Sequence, residues 1–219
     1  MATPDRVAEI TAAMRQVTDK PVSVKQRIGI DGRESYEEML EFVDTVAASG
    51  VERFTVHARI AILAGLSPKQ NRSIPPIRYD DVYRLKRERP HLEIGINGQI
   101  RTVADIQHHL AHVDTVMVGR AAYEHPWLFA TVDEALFGDE PAGTSREAVV
   151  EALFPYMDYL DRTGQPPRRM INHLLGLFAG RPGARRWKQA LSGRFPAIPG
   201  RDILRAALDA VPEEIRHES

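Results

Sequence analysis

Four short stretches in the first 119 residues alternate apolar with polar or small side chains, and a helical stretch separates each from the next. A period of two puts alternate side chains on opposite faces of a strand. In PVSVKQRIG (21–29), Val22, Val24 and Ile28 share one face while Ser23, Lys25 and Arg27 take the other. Arg53 to His57 sets Phe54 and Val56 against Thr55 and His57, and Leu92 to Asn97 sets Leu92, Ile94 and Ile96 against Glu93, Gly95 and Asn97. Asp114 to Gly119 is the fourth, with Val116 and Val118 outward. Thr3-Pro4 opens a helix carrying Val7, Ile10, Met14 and Val17. Ser35 and Glu38 form a capping box for a second helix that Gly50 stops, Tyr79 to Arg89 reads as a third, and Thr102 caps one ending near Leu110. Strands alternating with helices predict βαβ units and a parallel sheet.

A doubly wound sheet buries both faces and keeps both apolar. Here one face is polar or small in every strand, which suits a barrel whose interior holds a site. Lys25, Arg27, His57, Asn97 and Gly119 fall at strand carboxyl ends, where barrel enzymes build their sites. The loop after the second strand, LSPKQNRSIPP at 66–76, adds Lys69, Asn71 and Arg72 to that rim. Such a barrel has eight strands and only four are found. Residues 137–145 read as a linker, and Arg146 to Tyr159, Arg169 to Phe178, Ala184 to Leu191 and Arg201 to Val211 all read as helices. The expectation is therefore an α/β fold: a partial TIM (β/α)8 barrel of about four βα units at 1–140, then an all-α helical domain at 141–219. A half-barrel has two open strand edges, so edge-mediated association is expected of it.

No apolar run approaches the ~20 residues that span a bilayer, and MATPDRVAEI lacks the order of a secretory signal, so no membrane partner and a cytoplasmic location are expected. The absence of cysteine removes disulfides, thiolate metal sites and a cysteine acid or nucleophile from these residues. Net charge is −1, but Arg162 to Arg205 holds nine Arg and Lys188 against Asp202 alone, +9, leaving −10 elsewhere. Such a field suits a polyanion, the alternative being a solvated basic surface.

Lys25 and Arg27, two apart on one strand face, need anionic company in a partly dry setting. An anionic or electron-rich ligand is one reading and pairing with Glu93 the other. His57 gains interest from its place beside Lys25. Asn97-Gly98-Gln99 and Gly119-Arg120 follow the last two strands, where barrels commonly bind phosphate through backbone N–H groups; plain tight turns are the alternative. His108, His109 and His112 have metal-like spacing but lie on a helix, the outside of a barrel, and no metal is expected. Arg185 and Lys188 share a helix face, as two phosphate-reaching cations would.

VKQRIGID at 24–31, VHAR at 56–59, LSPKQNRSIPP at 66–76, ING at 96–98, VMVGRAAYEHPW at 116–127 and HLLGLFAGRPGARRWK at 173–188 resemble the tRNA-dihydrouridine synthases, specifically their A subfamily, across nearly the whole chain. The resemblance implies FMN-dependent reduction of D-loop uridines of tRNA, at positions 20/20a, to dihydrouridine, with NADPH recharging the flavin. It also implies a monomer for the full-length family. By the same resemblance Lys25 and His57 contact FMN, Asn97, Gly98 and Gln99 line its phosphate end, and Gly119 and Arg120 complete that cradle. Lys69, Arg72, Arg185 and Lys188 touch tRNA, and Arg27 faces the uracil. A cation near the flavin's pyrimidine edge stabilises its reduced anion, and the target base must leave its stack to meet the flavin.

Two departures stand out. The family has a second glycine where Gln99 stands, which predicts strain if that position needs a positive φ. Family members also protonate the uracil with a cysteine from the first half of the barrel, and these residues hold none. The sequence thus resembles the carboxyl-terminal portion of the enzyme, and catalysis by these residues alone is not expected. A non-catalytic tRNA-binding remnant, or another FMN-barrel oxidoreductase acting on a small molecule, are the competing readings.

Overall fold

A computed structural model describes residues 1–141, 143–193 and 198–218. It divides into two compact units, Met1–Gly119 and Arg120–Ser219. The division falls earlier than the expected 140/141 because residues 120–137 are helical and belong with the helices that follow. Trp127 packs on the second unit's core, and a Cβ at Gly176 would meet the Glu124 carbonyl oxygen.

The first unit runs α1 (Pro4–Gln16), β1 (Ser23–Arg27), α2 (Tyr36–Ala47), β2 (Arg53–His57), α3 (Tyr79–Glu88), β3 (Glu93–Asn97), α4 (Val103–Leu110) and β4 (Thr115–Met117). The four strands pair in parallel in the order β1-β2-β3-β4. Chain order without reversal is how a singly wound sheet grows, each crossover adding the next strand on the same side. Burial follows the alternation. Phe54, Val56, Ile94 and Ile96 are buried with Met39, Val43, Val46, Val82 and Leu85 of the helices, whereas Lys25 and Thr115 on the other face are exposed.

Local signals fix the helix starts. Ser35 Oγ accepts the Glu38 N–H at 3.2 Å while Glu38 Oε2 accepts the Ser35 N–H at 3.1 Å, closing the expected box. Thr102 forms a second box, closed by Asp105. Thr3 occupies its N-cap position without a side-chain bond, and the stripe on α1 is not a core face: Ile10, Met14 and Val17 are exposed. Polar groups tie α1 to the turn after α2, with Thr11 Oγ1 2.8 Å from Ser49 Oγ and Arg15 bonded to the Gly50 carbonyl.

The second unit holds α5 (Arg120–Glu124), a 3-10 segment (Pro126–Thr131), α6 (Val132–Phe137), α7 (Arg146–Glu151), α8 (Phe154–Arg162), α9 (Arg168–Leu174), α10 (Ala184–Ser192), α11 (Gly200–Asp209) and α12 (Glu213–Arg216). Its described residues form no strand. The expected helix from Arg146 to Tyr159 is two, because Pro155 has no N–H to continue α7 but is accommodated in the first turn of α8. Part of the expected 137–145 linker, Ala142, lies outside the described residues. Trp187 is fully buried, edge-on to Phe178 at 4.8 Å, and donates its indole N–H to the Leu174 carbonyl at 2.8 Å.

Replacing Trp187 therefore removes the largest buried side chain and a hydrogen bond together. Trp187→Ala is expected to lower stability by about 3–5 kcal/mol, and Met14→Ala, on the exposed stripe, by at most about 0.5 kcal/mol, in urea unfolding. Equal effects would contradict the burial assigned to the two positions.

Candidate active site

Parallel register lines up two rows of mostly polar side chains on the open face of the sheet. One is Lys25, Thr55, Gly95 and Thr115; the other, at the carboxyl ends, is Arg27, His57, Asn97 and Met117. Gly95 keeps the first row shallow, since a Cβ there would come 2.4 Å from Thr115 Oγ1 and 3.2 Å from Thr55 Oγ1. Glu93 does not serve as counter-ion to Lys25 or Arg27; it pairs with Arg53 at 2.8 Å. Lys25 has no ion pair among the described residues, and partial burial, then the neighbouring Arg27, lower its ammonium from the usual lysine value even though its surface is exposed. An uncompensated cation on a polar strand face is what an anionic or electron-rich ligand would complete.

Arg27 is engaged by the rim loop. Its Nη1 donates to the Ile60 carbonyl at 2.7 Å and the Asn71 carbonyl at 3.0 Å. Burial, then Arg59 and Arg72, hold its guanidinium below the ordinary arginine value. The loop is stapled from within by Asn71, whose Nδ2 donates to Ile62 O at 2.7 Å and whose Oδ1 accepts the Ile62 N–H at 2.8 Å. Asp31 Oδ2 accepts the Leu63 and Ala64 N–H groups at 2.8 and 3.0 Å. Lys69 and Arg72, on either side of Asn71, are exposed.

The turn after β3 is built around close approach. Gly98 has φ +129°, and a Cβ there would stand 2.9 Å from His57 Cδ2, so the glycine lets the backbone lie against the imidazole. The Gly98 carbonyl accepts the Tyr79 hydroxyl at 2.7 Å, and Asn97 Nδ2 donates to Met117 O at 2.6 Å, tying this turn to the end of β4. Gly119 faces open space apart from Asn97 Nδ2, 3.8 Å from where its Cβ would be. Gln99 has φ +55°, the left-handed backbone that its replacement of a glycine anticipated. Its Oε1 accepts a 2.6 Å bond from Arg59 Nη2.

Arg59 is the residue that sequence reasoning overlooked. It is buried, bonds the Pro75 carbonyl through Nη1 and holds Gln99 through Nη2, so one guanidinium fixes both the rim loop and the turn after β3. Its signal was present as the last residue of VHAR, but its partners are distant in sequence. His109, by contrast, is a packing group: it is buried, bonded to Tyr83 Oη at 2.7 Å, and lowered from the usual histidine value mainly by burial. Among the described residues no grouping of three or more His, Asp or Glu is placed to hold a metal.

In the second unit Arg120 opens α5, and Arg185 and Lys188 stand exposed on α10 beside buried Trp187. Of the ten cations between 162 and 205, Arg181, Arg201 and Arg205 are paired with acids from outside that window or at its margin: Glu218, Asp158, and Glu147 with Glu151. Arg162, Arg168, Arg169, Arg185, Arg186 and Lys188 have no ion pair among the described residues. Arg194 lies outside the described residues.

Residues 1–211 match the family described as Dihydrouridine synthase (Dus). The chain belongs to this family. A tRNA-dihydrouridine(20/20a) synthase of Synechocystis sp. is 50% identical over 211 residues, covering 96% of this chain and 63% of that protein. The protein of the same name from Shewanella oneidensis is 52% identical over 192 residues, covering 88% of this chain and 57% of that one. The chain thus spans about three fifths of the length of these relatives. A dihydrodipicolinate synthase family structure from Coccidioides immitis overlaps 99% of this chain and 72% of its own at 17% identity, with a TM-score of 0.36, too slight to bear on the fold. No helix among the described residues is long and apolar enough to cross a membrane.

Two substitutions probe the turn after β3. Gly98→Ala adds a Cβ against His57 at a positive φ and is expected to cost about 1–3 kcal/mol. Gln99→Gly relieves about 1 kcal/mol of backbone strain but strips a buried guanidinium of a charge-assisted bond of about 1.5–3 kcal/mol, so it too should destabilise. A urea midpoint for Gln99→Gly above that of the parent would overturn the clamp assigned to Arg59.

Proposed function

We propose that this chain carries the flavin grip and the RNA-binding helices of an FMN-dependent tRNA-dihydrouridine synthase acting on D-loop uridines, those of positions 20/20a for which its relatives are named. The reading rests on family membership joined to one observation, the cation of Lys25 standing without an acid partner among the described residues on the open face of parallel strands. The residues fit the cofactor. Lys25 offers a positive charge to the pyrimidine edge of a flavin, His57 lines the same face, and Asn97, Gly98, Gln99 and Gly119 offer a phosphate a backbone that can be approached closely. FMN, when bound, supplies hydride transfer to the uracil C5–C6 double bond, and NADPH is the reductant that restores it.

The chain's own residues position and bind. Arg59 holds the turn after β3 and the rim loop in register, and Arg27 fixes the loop that presents Lys69 and Arg72. In the second unit Arg162, Arg168, Arg169, Arg185, Arg186 and Lys188, which have no ion pair among the described residues, give a phosphate backbone its counter-charges. With no thiol among its residues, the proton donor to uracil that the family resemblance implies is not supplied by these 219 residues.

The RNA half of the reading is tested by titrating unmodified tRNA transcript at several salt concentrations. The parent should bind with a steep salt dependence, and the double variant Arg185→Ala/Lys188→Ala should flatten the log–log slope by about two. Unchanged affinity and slope in the double variant would remove α10 from the RNA contact. A parent indifferent to tRNA would favour an oxidoreductase of small molecules.

A further inference from the structure

A hollow of about 260 Å³ lies between α8 and α9 in the second unit, with Leu160 and Met170 as its apolar lining and Tyr156, Gln165, Arg169 and His173 as its polar and aromatic lining. It is smaller than the roughly 300–1,000 Å³ of drug-sized ligand sites and suits one planar group. Tyr156 is the aromatic ring of its lining and is 48% exposed; beside it, outside the lining, Tyr159 is 42% exposed, with its ring 6.1 Å from that of Tyr156 at 19° in a stacked arrangement. Leaving two aromatic rings half in water gains nothing for the core, which Phe154, Met157 and Leu160 of the same helix already serve.

Charge around the hollow has one sign. Arg169 lines it; Arg162, outside the lining, lies 5.8 Å from the centre of the neighbouring Tyr159 ring, and neither has an acid partner among the described residues. The carboxylates of α8 are turned to other work. Asp158 pairs with Arg201, and Asp161 accepts the Gly200 N–H at 2.7 Å. Among the described residues no carboxylate lines the hollow. Gln165, tethered by its Nε2 to Thr163 Oγ1 at 3.2 Å, and His173, edge-on to Tyr123 at 5.3 Å, place hydrogen-bonding groups at its margin.

Stacked aromatics flanked by unpaired arginines and short hydrogen-bonding side chains form the combination that takes an unstacked nucleobase with its phosphate, the ring giving the platform and the arginine the counter-charge. We propose that the Tyr156–Arg169 hollow is a stacking site for one unpaired nucleotide of the bound RNA, separate from the base presented to the flavin. This rests on the tRNA reading above and assigns to α8 and α9 a task distinct from the phosphate contacts of α10. The helical unit then recognises where RNA is unpaired, which charge alone cannot do.

The test uses the whole chain with two probes, an unmodified tRNA transcript and a blunt-ended RNA duplex with no unpaired nucleotide. Tyr156→Ala, at a half-exposed position, should weaken transcript binding by about 5- to 150-fold, the worth of stacking one base, with no change in salt slope and no effect on the duplex. Tyr156→Phe should bind as the parent does, since the ring face and not the hydroxyl is used. Arg169→Ala should lower the slope on the transcript by about one. Transcript affinity untouched by Tyr156→Ala, or reduced equally on the duplex, would overturn the site while leaving the tRNA reading intact. A parent that binds neither RNA would overturn both.

Discussion

Parallel pairing in an unshifted register is the constraint on which the rest depends. Because each strand contributes one residue per level, Arg27, His57, Asn97 and Met117 become neighbours although 90 residues separate the first from the last. A slip of one residue in any strand would turn its polar set into the helix-covered face and its Phe54- or Ile94-type residues into the open. The apolar packing of α2, α3, β2 and β3 is therefore what places the polar groups, and the site inherits its geometry from the core.

Two arginines extend that order from strands to loops. Arg27 reaches across to the carbonyls of Ile60 and Asn71, and Arg59 ties Pro75 to Gln99. Loops have little core of their own, so charge-assisted bonds to their carbonyls supply the fixity that packing supplies elsewhere. Arg27, Arg59 and Arg72 stand close together, and burial, then the charges of Arg59 and Arg72, lower the Arg27 guanidinium.

Much of this was legible in the residues because it is local. The β2 strand has the boundaries its alternation predicted, the Ser35–Glu38 box formed, and Gln99 took the positive φ that a glycine position demanded. What was not legible is long-range. Arg59 looks like a strand-end cation until its partners at 75 and 99 are known. The basic stretch from Arg162 loses three of its charges to Glu147, Glu151, Asp158 and Glu218, acids that a window count assigns elsewhere. The stripe of α1 had the period of a core face but not the neighbours to make it one, and Pro155 divided a helix at a residue that periodicity alone passes over.

The flavin grip is the central claim, and a fluorescence titration of FMN against the chain tests it most directly. Saturable quenching is predicted, with Lys25→Met weakening it about tenfold or more through loss of one charge-assisted contact, and with Arg84→Ala, an exposed change on α3, leaving it alone. Quenching that never saturates, or that Lys25→Met and Arg84→Ala affect alike, would contradict a cofactor held on the open face of the sheet.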